Sequence, residues 1–394
     1  MAVYLDNAAT SYPKPEGVAA AVANYITNIG ASPARGGYSL SIQAGRMMFR
    51  TRRALASFFG CADEDRVVFA PSVTYALNCA IQGLLRPGDH IVTTSMEHNS
   101  VIRPLRTLAR TQLCQLTVVE CESNGTLDLD RMSAAIRSDT RMVVTTHASN
   151  VCGTVIPIAE IAEMAASVGA FFVVDAAQTA GVLPLTFDTL GADVLAFTGH
   201  KALLGPAGTG GMVLSPRAAH AMNPLAQGGT GSRSDDEYQP DFLPDKFEPG
   251  TPNTPGIIGL GAGVEYILDK GIENIHRREI SLASSFARGI RAIPTLKLHG
   301  LWSDDPDAVT DDRVATVSIS STDPDIDMAS VAFALDCDYG VMIRPGLHCA
   351  PLAHKTMSTF PTGTLRFSFG PFNTEQDVDT AIEALSNLLA PTAN

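Results

Sequence analysis

A lysine and an aspartate stand after two apolar runs of this chain, and this pair of residue types supports a specific chemistry. The run 171–174 leads directly to Asp175, and the run 194–197 is followed after three residues by Lys201. Apolar runs of this length predict buried strands, so we expect both side chains at one edge of a sheet. Pyridoxal phosphate needs such a pair, a lysine to form a Schiff base and a carboxylate to hold the pyridine nitrogen protonated.

A second group of residues is suited to the phosphate of that cofactor. Val73 and Thr74 follow a β-rich run and begin a helical pattern. Backbone amides at a helix N-terminus bind anions, and the Thr74 hydroxyl is a further donor. An ordinary helix cap explains these residues equally well when they are taken alone. Thr198 and His200, beside the lysine, complete a phosphate site and favour the binding role.

Three polar residues at other strand ends are candidates for contact with the cofactor ring. His98 follows the run 90–94, where an imidazole can stack on the ring face opposite the lysine. Asn150 and Gln178 can hydrogen-bond the ring hydroxyl. A lone histidine is more often an ordinary core or surface residue, but the place of His98 in this series of strand ends favours a functional role.

The elements that must position these residues alternate along the first two thirds of the chain. Helical patterns cover 18–29, 45–59 and 72–85, and short β-rich runs separate them. Strands separated by helices predict a mostly parallel sheet, whose ligands bind at the carboxyl ends of the strands. After a polar, glycine-rich stretch at 228–237, a long apolar helix is predicted at 257–268, followed by further strands and helices.

The sequence therefore predicts an α/β fold with two domains. The large domain, 15–255, is expected to contain a mostly parallel sheet of the seven-stranded type between helices. The smaller α+β domain is expected to combine 1–14 with 256–394. A chain of 394 residues is long enough for both cores.

Composition and charge argue against several classes of protein. A formal net charge of −13 and a pI near 5.1 disfavour a nucleic-acid or anionic-membrane surface. We expect no secretory signal, no membrane span and no metal site. Seven cysteines without regular spacing do not resemble a disulfide framework, so a reducing cytoplasm fits best.

Several segments, in this order along the chain, resemble the fold-type I pyridoxal-phosphate enzymes. More narrowly, they are similar to the class V aminotransferase family, in its branch of cysteine desulfurases and selenocysteine lyases. The segments are 4–10, 97–100, 149–153, 175–178, 198–201 and 247–254. The resemblance covers essentially the whole chain, and the fixed order makes it specific.

The resemblance assigns roles residue by residue. It implies that Lys201 forms the Schiff base, that Asp175 pairs with the pyridinium and that His98 stacks on the ring. Thr251 resembles the residue that reaches the phosphate of a neighbouring subunit, which implies a homodimer. The segment 35–38 stands where the family has a loop lining the substrate entrance. The implied cofactor-binding set is Lys201, Asp175, Gln178, His98, Asn150, Val73, Thr74, Thr198, His200 and Thr251.

The segment 344–350 narrows the reaction. It resembles the group II desulfurase signature, in which an arginine, a glycine and a histidine precede the catalytic cysteine, here Cys349. Pro345 and Leu347 depart from that signature. These departures put in doubt how a partner protein is recognised and how the reactivity of the Cys349 thiol is adjusted. The attacking species must be a thiolate, and His348 and Arg344 are candidates for the cations that favour it.

The function implied is a pyridoxal-phosphate-dependent cysteine desulfurase that converts L-cysteine to L-alanine and leaves a persulfide on Cys349. Lys201 and His98 complete the catalytic set, and the substrate-binding set is Arg366, Asn150 and Arg344. Arg366 matches the family arginine for the substrate carboxylate, which a guanidinium grips with two parallel hydrogen bonds.

Three alternatives stay open at this point. A selenocysteine lyase uses the same chemistry on a better leaving chalcogen. Another class V enzyme, such as an epimerase, a hydrolase or an aminotransferase, needs no thiol. A non-catalytic pyridoxal-binding protein is disfavoured by the intact Lys201 and Asp175. A sulfur-acceptor protein is a possible partner, and the short loop around Cys349 predicts slow turnover without an activator.

Overall fold

The computed structural model describes residues 2–33, 36–303 and 312–390. Arg35, in the segment predicted to line the substrate entrance, lies outside the described residues. The helices are α1 (Glu16–Asn28), α2 (Ser39–Phe58), α3 (Val73–Leu84), α4 (Asn99–Arg110), α5 (Leu129–Ala135), α6 (Ile158–Ser167), α7 (Phe187–Leu190), α8 (Pro216–Ala221), α9 (Thr254–Lys270), α10 (Ile272–Arg291), α11 (Met328–Tyr339), α12 (Pro351–Thr356) and α13 (Glu375–Leu388). The strands are β1 (Val3–Tyr4), β2 (Val67–Ala70), β3 (Asp89–Thr94), β4 (Cys114–Val119), β5 (Thr140–Thr146), β6 (Phe171–Asp175), β7 (Val194–Thr198), β8 (Gly210–Leu214), β9 (Leu296–His299), β10 (Thr316–Ser321), β11 (Val341–Met342), β12 (Arg344–Gly346) and β13 (Thr364–Ser368).

A seven-stranded sheet with the order β2-β8-β7-β6-β5-β3-β4 forms the larger layer. Neighbouring strands from β7 to β4 are parallel, and β8 is antiparallel to both of its neighbours. Every residue of β6 and β7 is buried, as expected where helices cover both faces of a parallel sheet. The predicted α/β fold class with a mostly parallel sheet is confirmed.

A smaller antiparallel sheet, with the order β12-β13-β10-β9, lies in the C-terminal region. Helices α10, α11 and α13 contribute to the apolar core beside it. The N-terminus joins this region, because β1 pairs in parallel with β11 and Leu5 is part of the same core. The predicted domain that combines residues 1–14 with 256–394 stays a prediction.

The helix α9 packs against the larger sheet. Ile257, Leu260 and Val264 of α9 belong to the same core as β6 and β7. The boundary between residues 255 and 256 stays a prediction. It assigns Ile257, Leu260 and Val264 to the smaller domain, whereas their contacts are with the core of the larger sheet. The helix α2 begins at Ser39 rather than at the predicted residue 45. In the described part of the chain, no helix combines the length and the hydrophobicity needed to cross a membrane.

Candidate active site

The strands β6 and β7 bring Asp175 and Lys201 to one edge of the sheet. Asp175 is the last residue of β6 and pairs with Ala196 of β7, and Lys201 follows the end of β7. Asp175 is 3% exposed, and its Oδ1 accepts a hydrogen bond from the backbone N–H of Ala177 at 2.9 Å. Burial raises the pKa of Asp175, whereas that backbone bond and the charge of Lys201 act to lower it.

The pKa of Lys201 is far from the usual value for a lysine. Burial lowers its pKa to about 8, an effect that Asp175 opposes and that Arg366 and Arg344 reinforce. An amine that loses its proton near neutral pH is suited both to Schiff-base formation and to proton abstraction. The residue types and the surroundings of this pair therefore fit pyridoxal phosphate.

The start of α3 and the end of β7 form a cradle suited to a phosphate. Thr198 is buried and pairs with Gly210 of β8. A Cβ atom on Gly210 would lie 2.7 Å from the backbone oxygen of Phe197 and 3.1 Å from the carbonyl carbon of Ser72, so a side chain here would clash with β7 and crowd the start of α3. The structure thus brings Thr198 towards the N-terminus of α3, where Val73 is the first helical residue.

His200 lies beside this cradle as a neutral ring. Burial, together with the charges of Lys201 and Lys14, lowers the pKa of His200 to about 4. Its backbone carbonyl accepts a hydrogen bond from Lys14 Nζ at 2.7 Å. A neutral imidazole still has one N–H donor, which is the group that a phosphate oxygen requires.

His98 is fixed at the N-terminus of α4. Its Nδ1 accepts a hydrogen bond from the backbone N–H of Ser100 at 3.1 Å and lies 2.7 Å from the Ser100 hydroxyl. Burial lowers the pKa of His98 to about 4, and the nearby cation Lys201 contributes to this effect. His98 and Cys349 line the same cleft.

The two amide side chains predicted to touch the ring hydroxyl have protein partners. Asn150 Nδ2 donates to the carbonyl oxygen of His348 at 2.7 Å, and Gln178 Nε2 donates to the carbonyl oxygen of Ala8 at 3.2 Å. Asn150 therefore holds the loop that carries the candidate nucleophile. The contacts of both residues with a cofactor stay predictions.

Arg366 of β13 is held by an acid that the sequence analysis did not single out. Arg366 is 1% exposed, and its Nη2 donates to Oδ1 of Asp6 at 2.6 Å. Nη1 donates to the backbone oxygen of Asn150 at 3.1 Å, and Nε has no hydrogen-bond partner within the described residues. Asp6 stands in the segment 4–10 that carried the resemblance, and its place in that segment was the only signal in the sequence analysis that could have drawn attention to it.

Cys349 is exposed in a loop with an uncommon backbone. His348 and Cys349 have φ angles of 49° and 59°, a region that residues other than glycine rarely adopt. Two hydrogen bonds hold this conformation, from Asn150 Nδ2 to the carbonyl of His348 and from the backbone N–H of Asn99 to the carbonyl of Cys349, the latter at 2.8 Å. Arg344 Nη2 lies 3.7 Å from the Cys349 sulfur.

His348 does not supply the positive charge expected of it. Burial lowers its pKa to about 2, and the cations Arg366 and Arg344 contribute to this effect. Its Nε2 lies 3.1 Å from the hydroxyl of Thr364. A ring with this pKa is neutral at physiological pH, which leaves Arg344 as the candidate cation beside the thiol.

The sequence analysis missed a buried acid, Glu97. Its carboxyl oxygens accept hydrogen bonds from the Thr94 hydroxyl at 2.6 Å and from the backbone N–H of Thr146 at 2.9 Å. These bonds tie the segment that carries His98 to the end of β5. Burial raises the pKa of Glu97 to about 8. Its place directly before His98 was the available signal.

Thr251 and Lys201 line different cavities. Thr251 lines its cavity together with Pro71 and Tyr75 near the start of α3. Among the residues that the structure describes, no group of three or more histidine, cysteine or acidic side chains is placed to hold a metal ion. All seven cysteines are in the described part of the chain, and all are free.

Comparisons with known sequences agree with this geometry. The family model Aminotransferase class-V matches residues 3–381. A probable cysteine desulfurase of Methanothermobacter thermautotrophicus is 35% identical over 390 residues, which are 98% of this chain and 94% of the relative. A cysteine desulfurase of Haloferax volcanii is 32% identical over 391 residues, which are 97% of this chain and 88% of the relative.

Solved structures lead to the same group of proteins. The apo structure of a cysteine desulfurase from Thermococcus onnurineus NA1 matches with a TM-score of 0.90 and 33% identity, covering 98% of this chain and 94% of that chain. The cysteine desulfurase CsdA from Escherichia coli matches with a TM-score of 0.87 and 27% identity, with the same coverage of 98% and 94%.

Proposed function

The chain belongs to the class-V aminotransferase family, and we propose that it is a cysteine desulfurase that converts L-cysteine to L-alanine and takes the sulfur onto Cys349. Cysteine desulfurases of this family depend on pyridoxal phosphate. One observation carries the proposal, namely that the exposed Cys349 shares a cleft with His98 and has the guanidinium of Arg344 3.7 Å from its sulfur.

The residues proposed to hold the cofactor lie along the carboxyl edge of the larger sheet. Lys201 would attach it covalently, Asp175 would pair with its ring nitrogen and His98 would stack on the ring. The remaining proposed contacts are Gln178 and Asn150 at the ring hydroxyl, and Val73, Thr74, Thr198 and His200 at the phosphate. When bound, the cofactor supplies an electron sink for bonds at the substrate Cα.

Lys201 is proposed to move the Cα proton of the substrate. Its pKa of about 8 leaves a substantial fraction of the amine unprotonated near neutral pH. The pKa of a catalytic base is best placed near the working pH, because the group must both accept and return the proton. Burial gives Lys201 this property.

Arg366 is proposed to bind the substrate carboxylate. A guanidinium grips a carboxylate with two parallel N–H donors. Nη1 and Nη2 of Arg366 already donate to Asn150 and Asp6, whereas Nε has no partner within the described residues. The substrate carboxylate would therefore use Nε and would share or displace the contact of Nη2 with Asp6.

Cys349 is proposed to act as a thiolate on the substrate sulfur. A sulfur–sulfur bond forms as the Cβ–S bond of the substrate breaks, and the electron pair of the broken bond stays on Cβ. A proton then completes the methyl group of alanine, and Cys349 carries the persulfide. The guanidinium of Arg344, 3.7 Å from the sulfur, would hold Cys349 in place for this attack.

The functional unit is proposed to be a homodimer in the cytoplasm. Helices α1 and α2 expose apolar side chains that a second copy would cover, among them Ile26, Ile42 and Phe49. Thr251, which lines a cavity with Pro71 and Tyr75, is proposed to reach the phosphate site of the partner. A sulfur-acceptor protein or a small thiol would then discharge the persulfide.

The proposal is tested by alanine release from L-cysteine and from L-selenocysteine by the pyridoxal-loaded protein. The wild type is compared with Cys349→Ala and with Cys337→Ala, a matched control because Cys337 is also exposed while the other five cysteines are buried. Alanine from L-cysteine that is lost only in Cys349→Ala supports the desulfurase.

Other outcomes would replace this function. Alanine from L-selenocysteine alone, unaffected by Cys349→Ala, would make the protein a selenocysteine lyase. Absence of alanine from both substrates would indicate another class V reaction that does not use the thiol.

A further inference from the structure

The hydrogen bonds of His98 fix where its proton lies. A backbone N–H can only donate, so the contact of 3.1 Å from Ser100 N makes His98 Nδ1 an acceptor. The neutral ring then carries its hydrogen on Nε2. The Ser100 hydroxyl lies 2.7 Å from the same Nδ1 and must therefore point its hydrogen at that nitrogen.

A second hydroxyl extends this chain to the start of α3. Thr74 Oγ1 lies 2.8 Å from Ser100 Oγ, and the distance alone leaves open which atom donates. Because a hydroxyl has one hydrogen and that of Ser100 is directed at His98, Thr74 is the donor. The hydroxyls of Thr74 and Ser100 thus link the N-terminus of α3 to the imidazole.

An anion at Thr74 would reverse both hydroxyls. A phosphate oxygen only accepts, so Thr74 would donate to the phosphate and leave its own oxygen free to accept. Ser100 would turn its hydrogen to Thr74, and His98 Nδ1 would keep only the backbone N–H. Loss of a donor to its lone pair makes an imidazole nitrogen more basic.

We propose that Ser100 is a positioning residue whose hydroxyl couples an anion bound at Thr74 to the hydrogen bonding of His98. The inference rests on the phosphate site of the proposed function. Through the Ser100 hydroxyl, the hydrogen bonding of the His98 ring, which is proposed to stack on the cofactor, changes when the phosphate site is filled. Ser100 itself is buried, and the described hydrogen bonds of its hydroxyl are to Thr74 and His98 rather than to the lysine or the nucleophile.

The charged groups around His98 do not depend on the orientation of the Ser100 hydroxyl. The groups that lower its pKa besides burial are the cations Lys201, Arg344, Arg103 and Arg366. They are present whether the hydroxyl of Ser100 points to His98 or to Thr74. A comparison of Ser100 variants under identical conditions therefore isolates the hydroxyl.

The test uses the full-length, cofactor-free chain with ¹⁵N-labelled histidine, and inorganic phosphate as the probe. The chain has nine histidines, so the Nδ1 resonance of His98 is assigned by its loss in His98→Gln. Phosphate is expected to move this resonance in the wild type towards its position in Ser100→Ala. Ser100→Ala should not respond in this way, whereas Ser100→Thr, which keeps the hydroxyl, should behave as the wild type.

A titration gives a second readout. Without phosphate, the pKa of His98 should be about half to one unit higher in Ser100→Ala than in the wild type, the effect of one lost neutral hydrogen bond. Calorimetry with Thr74→Val checks that phosphate binds at Thr74.

Three results would overturn the coupling: equal phosphate responses in the wild type and Ser100→Ala, no response despite bound phosphate, or phosphate binding that does not depend on Thr74. Alanine release from L-cysteine by the loaded wild type is measured separately, so failure of the coupling and failure of the desulfurase assignment are distinguished.

Discussion

Arg366 and Asp6, which lie 360 positions apart in the chain, are joined by an ion pair with 2.6 Å between Nη2 and Oδ1. The Arg366 side chain is 1% exposed and that of Asp6 is 20% exposed, so the guanidinium is the more deeply buried partner. Asp6 neutralises a buried cation that the proposed reaction needs for the substrate carboxylate. Two carboxylates thus compete for one guanidinium.

Replacing Asp6→Asn should expose this competition. The amide keeps the shape but removes the negative charge, so KM for L-cysteine should fall several-fold while the free energy of unfolding falls by about 1.5–3 kcal/mol. Alanine-release kinetics and urea unfolding measure the two effects, with the exposed Asp338→Asn as control. An unchanged or higher KM would contradict the competition.

Arg344 should control the reactivity of Cys349. In a Cys337→Ala background, Arg344→Gln should slow alkylation of Cys349 by iodoacetamide at pH 7 by about two- to fivefold, because it removes the cation 3.7 Å from the sulfur and an exposed charge interaction contributes up to about 1 kcal/mol. Arg344→Lys should retain most of the rate. His348→Asn should not reproduce the loss, since the ring of His348 is neutral; a larger effect there than in Arg344→Gln would refute this assignment.

The loop that carries Cys349 should depend on Asn150. Asn150→Ala leaves the carbonyl of His348 without its donor, at a cost of about 1–3 kcal/mol. We expect faster amide hydrogen exchange at 347–350 and a lower rate of alanine release, because two residues with positive φ are held by few contacts. Asn274→Ala is the control, since Asn274 also donates to a backbone carbonyl but is exposed. Equal exchange in both variants would show that Asn150 does not hold the loop.

The buried Glu279 should give the stability of the fold a pH dependence. Burial raises its pKa from 4.5 to about 8, so between these values the folded chain binds a proton that the unfolded chain has released. The contribution of Glu279 to the free energy of unfolding therefore falls as the pH rises from 4.5 to 8.

The variant Glu279→Gln removes this contribution. Relative to the wild type, it should be more stable at pH 8 than at pH 5, as measured by urea unfolding at both values. The exposed Glu273→Gln on the same helix should show no such difference. A difference from the wild type that does not change with pH would rule out the buried proton.

Local sequence patterns were sufficient for the edge of the larger sheet. Asp175 and Lys201 follow apolar runs, and the ends of neighbouring parallel strands necessarily meet. The same reasoning placed Thr198 and the start of α3 at one site. These predictions rest on periodicity, which is a property of neighbouring residues.

Contacts between segments that are distant in the chain could not be predicted from local sequence patterns. Nothing near Arg366 in the chain indicates Asp6 as its partner, and nothing near Asn150 indicates the carbonyl of His348. The positive φ angles of His348 and Cys349 escape prediction because they are imposed by such distant contacts against local preference. The neutral state of His348 also depends on burial, which a motif does not report.

The location of the persulfide tests the central claim most directly. The pyridoxal-loaded wild type is mixed with less than one equivalent of L-cysteine, the exposed sulfurs are alkylated, and the peptides are analysed by mass spectrometry. The account predicts one additional sulfur atom on the peptide that contains Cys349, and none on the peptide that contains Cys337, which is also exposed. Alanine formed with no additional sulfur on Cys349 would contradict the account.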